Sequence, residues 1–218
     1  MNEEKSIAVP YNTDRIRLWF DPSCPWAWLT YRWLRQTQTA GRDFTLDLAV
    51  MSLAILNEHS PDAPERYKYP HARSLQLGRV LIAATETLPD ETSSNEILTR
   101  MYDSLGHYIH HTGGRDYDHA NRQALTAADL PTAIADAANT TTYDAILRQQ
   151  TTRSMAVVGP GVGTPVIEIG DTAYFGPILS RIPNPDDAIR LFDAITTLAT
   201  HPHFYELKRH RTEEPTFT

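Results

Sequence analysis

Apolar residues near the start of the chain fall into two short strand-like runs with a helical period between them. Residues 16–20 read Ile-Arg-Leu-Trp-Phe, a β-rich run after polar residues, which predicts a strand. Trp26, Leu29, Trp33 and Leu34 lie near helical spacing over 26–40, and Gly41 offers a stop. Phe44, Leu46, Leu48 and Val50 then alternate with the period of a second strand. From about 61 to 158 strand alternation fades. Helical patterns cover roughly 67–88, 94–111, 118–128, 131–138 and 141–156, punctuated by Pro89, Gly113-Gly114 and Pro131. Leu125, Leu130, Ile134, Ile146 and Leu147 are expected core positions of this block. Strand character returns over 165–175, where Gly170-Asp171 separates two β-rich runs as a hairpin turn would. A last helix is expected over about 186–199, after Asn184-Pro185-Asp186.

The order is therefore β-α-β, a helical block, then β-β-α. That is the order of an α/β thioredoxin fold carrying a large all-helical insertion. The expected boundaries are a discontinuous thioredoxin-like domain over 1–60 and 157–218, and an inserted helical domain over 61–156.

Composition narrows the function class. The chain has 218 residues, 41% hydrophobic and 22% charged, which is ordinary globular material. Its net charge of -7 argues against a general nucleic-acid or anionic-membrane binder. The first residues lack an apolar core of signal-peptide length, and the longest apolar run, 48–56, is too short to span a bilayer. With one cysteine, no disulfide forms within the chain. The expectation is a cytoplasmic protein in a reducing compartment, with no membrane or nucleic-acid partner. A homodimer is compatible with the sequence.

That single cysteine, Cys24, sits between the first strand and the first helix, followed by Pro25, Trp26 and Ala27. The first turn of a helix offers free N–H groups and a partial positive charge, which stabilise a thiolate. Pro25 suits the first helical position because its missing N–H has no role there. A free thiol of pKa about 8.5 is only a few per cent ionised at pH 7, and a drop to about 6 makes it mostly thiolate. Cys24 is thus the candidate nucleophile, with a buried structural cysteine as the alternative. Further along, Thr164-Pro165 opens a strand after a Gly-rich loop, a candidate cis bond of the kind only X–Pro readily adopts.

The stretches WFDPSCPWAW (19–28), MSLAILNE (51–58), VGTPVI (162–167), FGPILSRIP (175–183) and HPHFYELKRHRTEEPTF (201–217) frame almost the whole chain. Through them the sequence resembles the DsbA-like thioredoxin-fold proteins, most of all the mycothiol-dependent reductases (nitroreductases) of actinobacteria. The resemblance implies a nucleophile at Cys24, a cis-proline at Pro165, and mycothiol as the small-thiol co-substrate. It also implies reduction of nitro-heteroaromatic compounds as an activity. Better-known members carry C-P-W-C, and this chain has Ala27 at the fourth position. Ala27 cannot resolve a mixed disulfide, so the expected reductase is monothiol: Cys24 becomes S-thiolated and an outside thiol releases it. Its partners would be a small thiol and a disulfide, a thiolated protein or a small-molecule substrate. Two alternatives stay open: a non-redox thiol-cofactor-dependent transferase or isomerase, and a non-catalytic thiol-binding scaffold.

Other residues carry weaker signals. Trp26 is expected to line the substrate surface and Trp28 to be core. Asn57 offers amide hydrogen bonds to a ligand, or a helix cap, and Tyr67 could face the cleft between the domains. His107, His110 and His111 share a helix face, but no acidic or cysteine partner stands at a recognisable spacing, so no metal is expected. The basic run 208–211 reads as solvated surface.

Overall fold

The computed structural model describes residues 14–59, 65–87 and 91–217, without the side chains of 65–72 and 91–92. Strand β1 (Arg15–Phe20) leads through a tight loop into helix α1 (Pro25–Thr39), then into β2 (Thr45–Val50). Helices follow: α2 (Leu53–Leu56), α3 (Glu65–Glu86), α4 (Glu91–Gly106), a π-helical turn (His107–His111), α5 (Tyr117–Ala127), a 3₁₀ helix (Thr132–Asn139) and α6 (Asp144–Val158). The chain closes with β3 (Val166–Ile169), β4 (Thr172–Phe175) and α7 (Pro185–Ala199). The sheet order is β2-β1-β3-β4, with β2 parallel to β1 and the other pairs antiparallel. Leu18 stands opposite both Leu48 and Ile167, so one buried row crosses three strands.

The period of two on β1 separates the two faces of the sheet. Ile16, Leu18 and Phe20 join a core with α1, α3, α4, α5 and α7. Trp19 points to the other face, where Ala49, Met51 and Val166 meet Met155 and Val158 of α6. Helix α1 buries Ala27, Trp28, Tyr31 and Leu34, a stripe at helical spacing. It ends where predicted, at Gly41, whose φ of 107° suits a residue without a side chain. The Trp33 indole donates to Ala188 O at 3.1 Å, holding α7 against α1. Asn184 caps α7 through Asp187 N at 3.0 Å.

Two predicted helices differ in kind. The one expected over 94–111 changes to a π-helical turn at 107, where Thr112 N bonds back to His107 O at 3.2 Å. A π turn takes in one extra residue, which residue types and periodicity do not announce. The one expected over 131–138 is the 3₁₀ helix, whose buried positions are the small Ala135, Ala137 and Ala138. Behind it, Arg79 of α3 grips Asp144 of α6 with two bonds, 2.6 and 2.8 Å, and holds the Asp144 carboxyl below the usual carboxylate range. The hairpin turn falls at Gly170-Asp171, with Gly170 at φ 58°.

Candidate active site

Cys24 is the N-cap of α1, with extended backbone (φ −81°, ψ 114°) and Pro25 at the helix start. Its own N–H bonds to Asp21 O at 3.0 Å, which closes the loop from β1. The thiol is buried and donates to Thr164 O at 3.4 Å. Thr164 is fixed in turn by its hydroxyl, which donates to Trp19 O at 3.0 Å, and the Thr164–Pro165 peptide is cis. Thus Cys24, Pro25, Thr164 and Pro165, far apart in the chain, meet at one end of the sheet. Ala27 is fully buried one helical turn beyond Cys24, and Trp26 is half-buried. A second cis peptide, Gly176–Pro177, lies in the 175–183 stretch, where Pro177 O accepts from the Thr30 hydroxyl of α1 at 2.7 Å.

The helix terminus does act on the sulfur as its position predicts. The backbone N–H groups of Ala27 and Trp26 pull its pKa down. Burial outweighs them and pushes the Cys24 thiol up to about 12, with the nearby Asp21 charge adding to the rise. The expectation of a lowered pKa is therefore corrected in this conformation. The dipole is local, whereas desolvation depends on everything packed above the sulfur.

Asp21 was not singled out from sequence. Its carboxylate is fully buried and accepts from Ser23 N (2.9 Å), the Ser23 hydroxyl (2.7 Å) and Leu53 N (2.8 Å). It ties the cysteine loop to the start of α2. Asn57 ends α2, and its side-chain amide donates to Leu53 O at 2.8 Å. Tyr67 falls on α3, and its side chain lies outside the described residues.

The π turn brings its histidines onto the site. His110 Nε2 lies 2.9 Å from Pro22 O in the cysteine loop, and the Trp28 indole donates to His111 Nε2 at 3.1 Å. Gly106, at the end of α4, lies so close to Trp28 that a Cβ there would sit 2.2 Å from the ring. Among the described residues no group of three or more His, Cys, Asp or Glu could hold a metal, and no helix is long and apolar enough to cross a membrane.

Burial lowers the His110 pKa from 6.5 to about 4, against the opposing pull of the Pro22 carbonyl. A neutral ring in the fold and a protonated one in the unfolded chain make stability fall as pH drops from 6.5 towards 4. The expected loss is on the order of 2 kcal/mol, discounted from the full shift because the residue is only partly buried. Urea titrations at pH 7 and 4.5 check it. His110→Asn should show a visibly smaller difference between the two pH values, and an equal difference would refute the assignment.

A segment without regular structure, 201–217, crosses the site as a strap. Phe204 packs on Tyr174, Thr216 N bonds to Ser180 O at 2.7 Å, and Arg181 pairs with Glu213 at 2.7 Å. The Arg211 guanidinium lies 5.0 Å from the centre of the Trp26 ring, so one member of the basic run is engaged with the site rather than only solvated. Phe217 ends the strap with its ring 5.5 Å from that of His110 and 5.7 Å from that of His111. Contacts of this range in sequence leave no local pattern to read.

Comparison with known proteins places these features. The model of the family described as the mycothiol-dependent nitroreductase Rv2466c matches residues 23–209. A relative described as the uncharacterized protein Rv2286c of Mycobacterium tuberculosis (strain ATCC 25618 / H37Rv) is 31% identical over 193 residues, covering 87% of this chain and 79% of that protein. Among solved structures, DsbA of Chlamydia trachomatis superposes with a TM-score of 0.54 at 12% identity, covering 87% of this chain and 89% of its own. A 2-hydroxychromene-2-carboxylate isomerase gives 0.54 at 14% identity, covering 84% and 95%. These two similarities establish the DsbA-like thioredoxin fold. With a family model matched over most of its length, the chain belongs to the Rv2466c-like family of mycothiol-dependent nitroreductases, thiol-dependent oxidoreductases of the thioredoxin superfamily.

Proposed function

We propose that the protein is a monothiol reductase that uses Cys24 as its nucleophile and mycothiol as its co-substrate. The observation that carries this is the placement of the sole cysteine at the N-cap of α1, against the Thr164 carbonyl, with Ala27 where a second thiol would stand. The Cys24 thiolate attacks a disulfide or S-thiolated substrate. A sulfur–sulfur bond forms at Cys24, the old one breaks, and the departing thiolate takes up a proton. An external mycothiol then attacks the carried sulfur of the mixed disulfide, returns Cys24 to the thiol and leaves joined to that group as a new disulfide, so one mycothiol is consumed in each turnover. Trp26 lines the entry, while Thr164, Pro165, Asn57 and Tyr67 hold the incoming thiol. Asn57 offers its side-chain carbonyl as an acceptor and the second N–H of its amide as a donor, the first being given to Leu53 O. Residues 61–156 act as an inserted domain against the discontinuous thioredoxin-like part, in a reducing cytoplasm. Small disulfides, thiolated proteins and small molecules are the partners.

Intact-mass analysis after exposure to oxidised mycothiol tests the reading. One mycothiol adduct is expected, removed by reduced mycothiol. A chain that stays unmodified when folded, yet reacts once unfolded, would sink it. A second reading, a thiol-cofactor-dependent transferase or isomerase, is favoured by Ala27 together with the raised pKa of Cys24. It requires that Cys24→Ser keep its activity.

A further inference from the structure

Tyr102 of α4 is fully buried, and its hydroxyl has no hydrogen-bond partner. A buried hydroxyl left unpaired is unusual and calls for a physical reason. Its surroundings are those of the nucleophile. The Tyr102 ring stacks on Phe20 at 4.0 Å and meets Trp28 edge-on at 5.2 Å. Phe20 lies four residues before Cys24 and Trp28 four after, so the ring packs where β1 hands over to α1. Tyr31 is the third neighbour, at 4.8 Å, but its hydroxyl already donates to Asp103 at 2.9 Å. Apart from burial, the Cys24 charge is the strongest influence on Tyr102, ahead of Tyr31, Asp21 and Asp103.

We propose that Tyr102 is the hydrogen-bond donor of the ionised Cys24 sulfur, supplied by the helical block to the thioredoxin-like part. The inference rests on the reading of Cys24 as the nucleophile. In the thiol state Sγ sends its proton to Thr164 O, and no acceptor, the sulfur included, stands in bonding position for the Tyr102 hydroxyl. Ionisation reverses both relations. The thiolate is repelled by the Thr164 carbonyl and becomes a strong acceptor for a buried O–H. Among the described residues, the other charged groups acting on the sulfur are Asp21, which opposes ionisation, and Arg211, which favours it. Neither is a donor fixed in the buried wall as Tyr102 is. In the exchange step the electron pair of this thiolate forms the new sulfur–sulfur bond, and the hydrogen bond is given up as the charge moves to the leaving thiolate.

The test is Tyr102→Phe, which keeps the ring and removes only the hydroxyl. Alkylation rate against pH is measured together with the thermal midpoint for both chains. The variant's log rate–pH profile should move about one unit towards higher pH, a tenfold slower reaction at a given pH on the rising limb. Its thermal midpoint should stay level or rise, because an unpaired buried hydroxyl has gone. An unmoved profile overturns the proposal. So does a shifted profile with a midpoint lowered by several degrees, which would make Tyr102 a packing residue. The reading of Cys24 fails separately, on absence of the mycothiol adduct in the parent chain.

Discussion

An Ala27→Cys variant is expected to shed a thiol bound at Cys24 at least about a hundredfold faster than the parent chain sheds it to millimolar external thiol. Positions 24 and 27 lie three apart at the start of α1. Residues at that spacing have Cβ atoms about 5–6 Å apart on one helix face, close enough for small adjustments to bring two sulfurs together. A thiol held there attacks without the entropy loss of a second molecule. Ala27 is fully buried, so the added sulfur crowds a packed site and costs about 1 kcal/mol or more of stability. The experiment loads Cys24 with a labelled thiol, removes the excess, and follows intact mass. The parent adduct should persist until a thiol is added, whereas the variant should lose its label unaided and finish two hydrogens lighter. Equal lifetimes would show that the helix start is too rigid for the two sulfurs to meet, and the case for Ala27 as the determinant of monothiol chemistry would fall with it.

The second large effect concerns the strap. Phe217 packs against the same core that holds Cys24, and burial is what raises that thiol to about 12. Compared with a free thiol near 8.5, the thiolate fraction at pH 8 is lower by about three orders of magnitude. Reaction at Cys24 is therefore expected to be faster in any conformation in which water reaches the sulfur. Phe217→Ala is expected to speed alkylation at pH 8 by about tenfold or more, by loosening the strap while keeping Arg211. Arg211→Ala is expected to act in the opposite direction, because it removes a cation that lowers the thiol pKa. Stopped-flow alkylation of the two variants decides the matter. Two unchanged rates would mean that the strap lies clear of the route by which the sulfur is reached.

Features written in neighbouring residues could be read directly. The strands over 15–20 and 45–50, the α1 stripe and the Gly170-Asp171 turn all follow from short-range periodicity and turn chemistry. Cys24-Pro25 marks a helix start for stereochemical reasons that need no partner. Thr164-Pro165 was recognisable only beside that motif, and the structure does bring the two together. What could not be read depends on contact between distant segments. The π turn that sets His110 on Pro22, the Asp21 bond to Leu53 and the Arg211–Trp26 stack all join such segments. The sign of the Cys24 shift belongs to the same class. The motif reveals the helix dipole but not the lid of side chains that excludes water.

Ala27 has a consequence at the scale of the thiol pool. A dithiol that closes on itself consumes one small disulfide and liberates two thiols, so its ratio of oxidised to reduced form follows the disulfide concentration divided by the square of the thiol concentration. In the proposed cycle, Cys24 trades one small disulfide for one thiol. Its occupancy then follows the simple ratio of the two, whatever the total amount present. Diluting or concentrating the pool at a fixed ratio would leave the loaded fraction of this protein unchanged, while it would shift the balance of a relative with two cysteines.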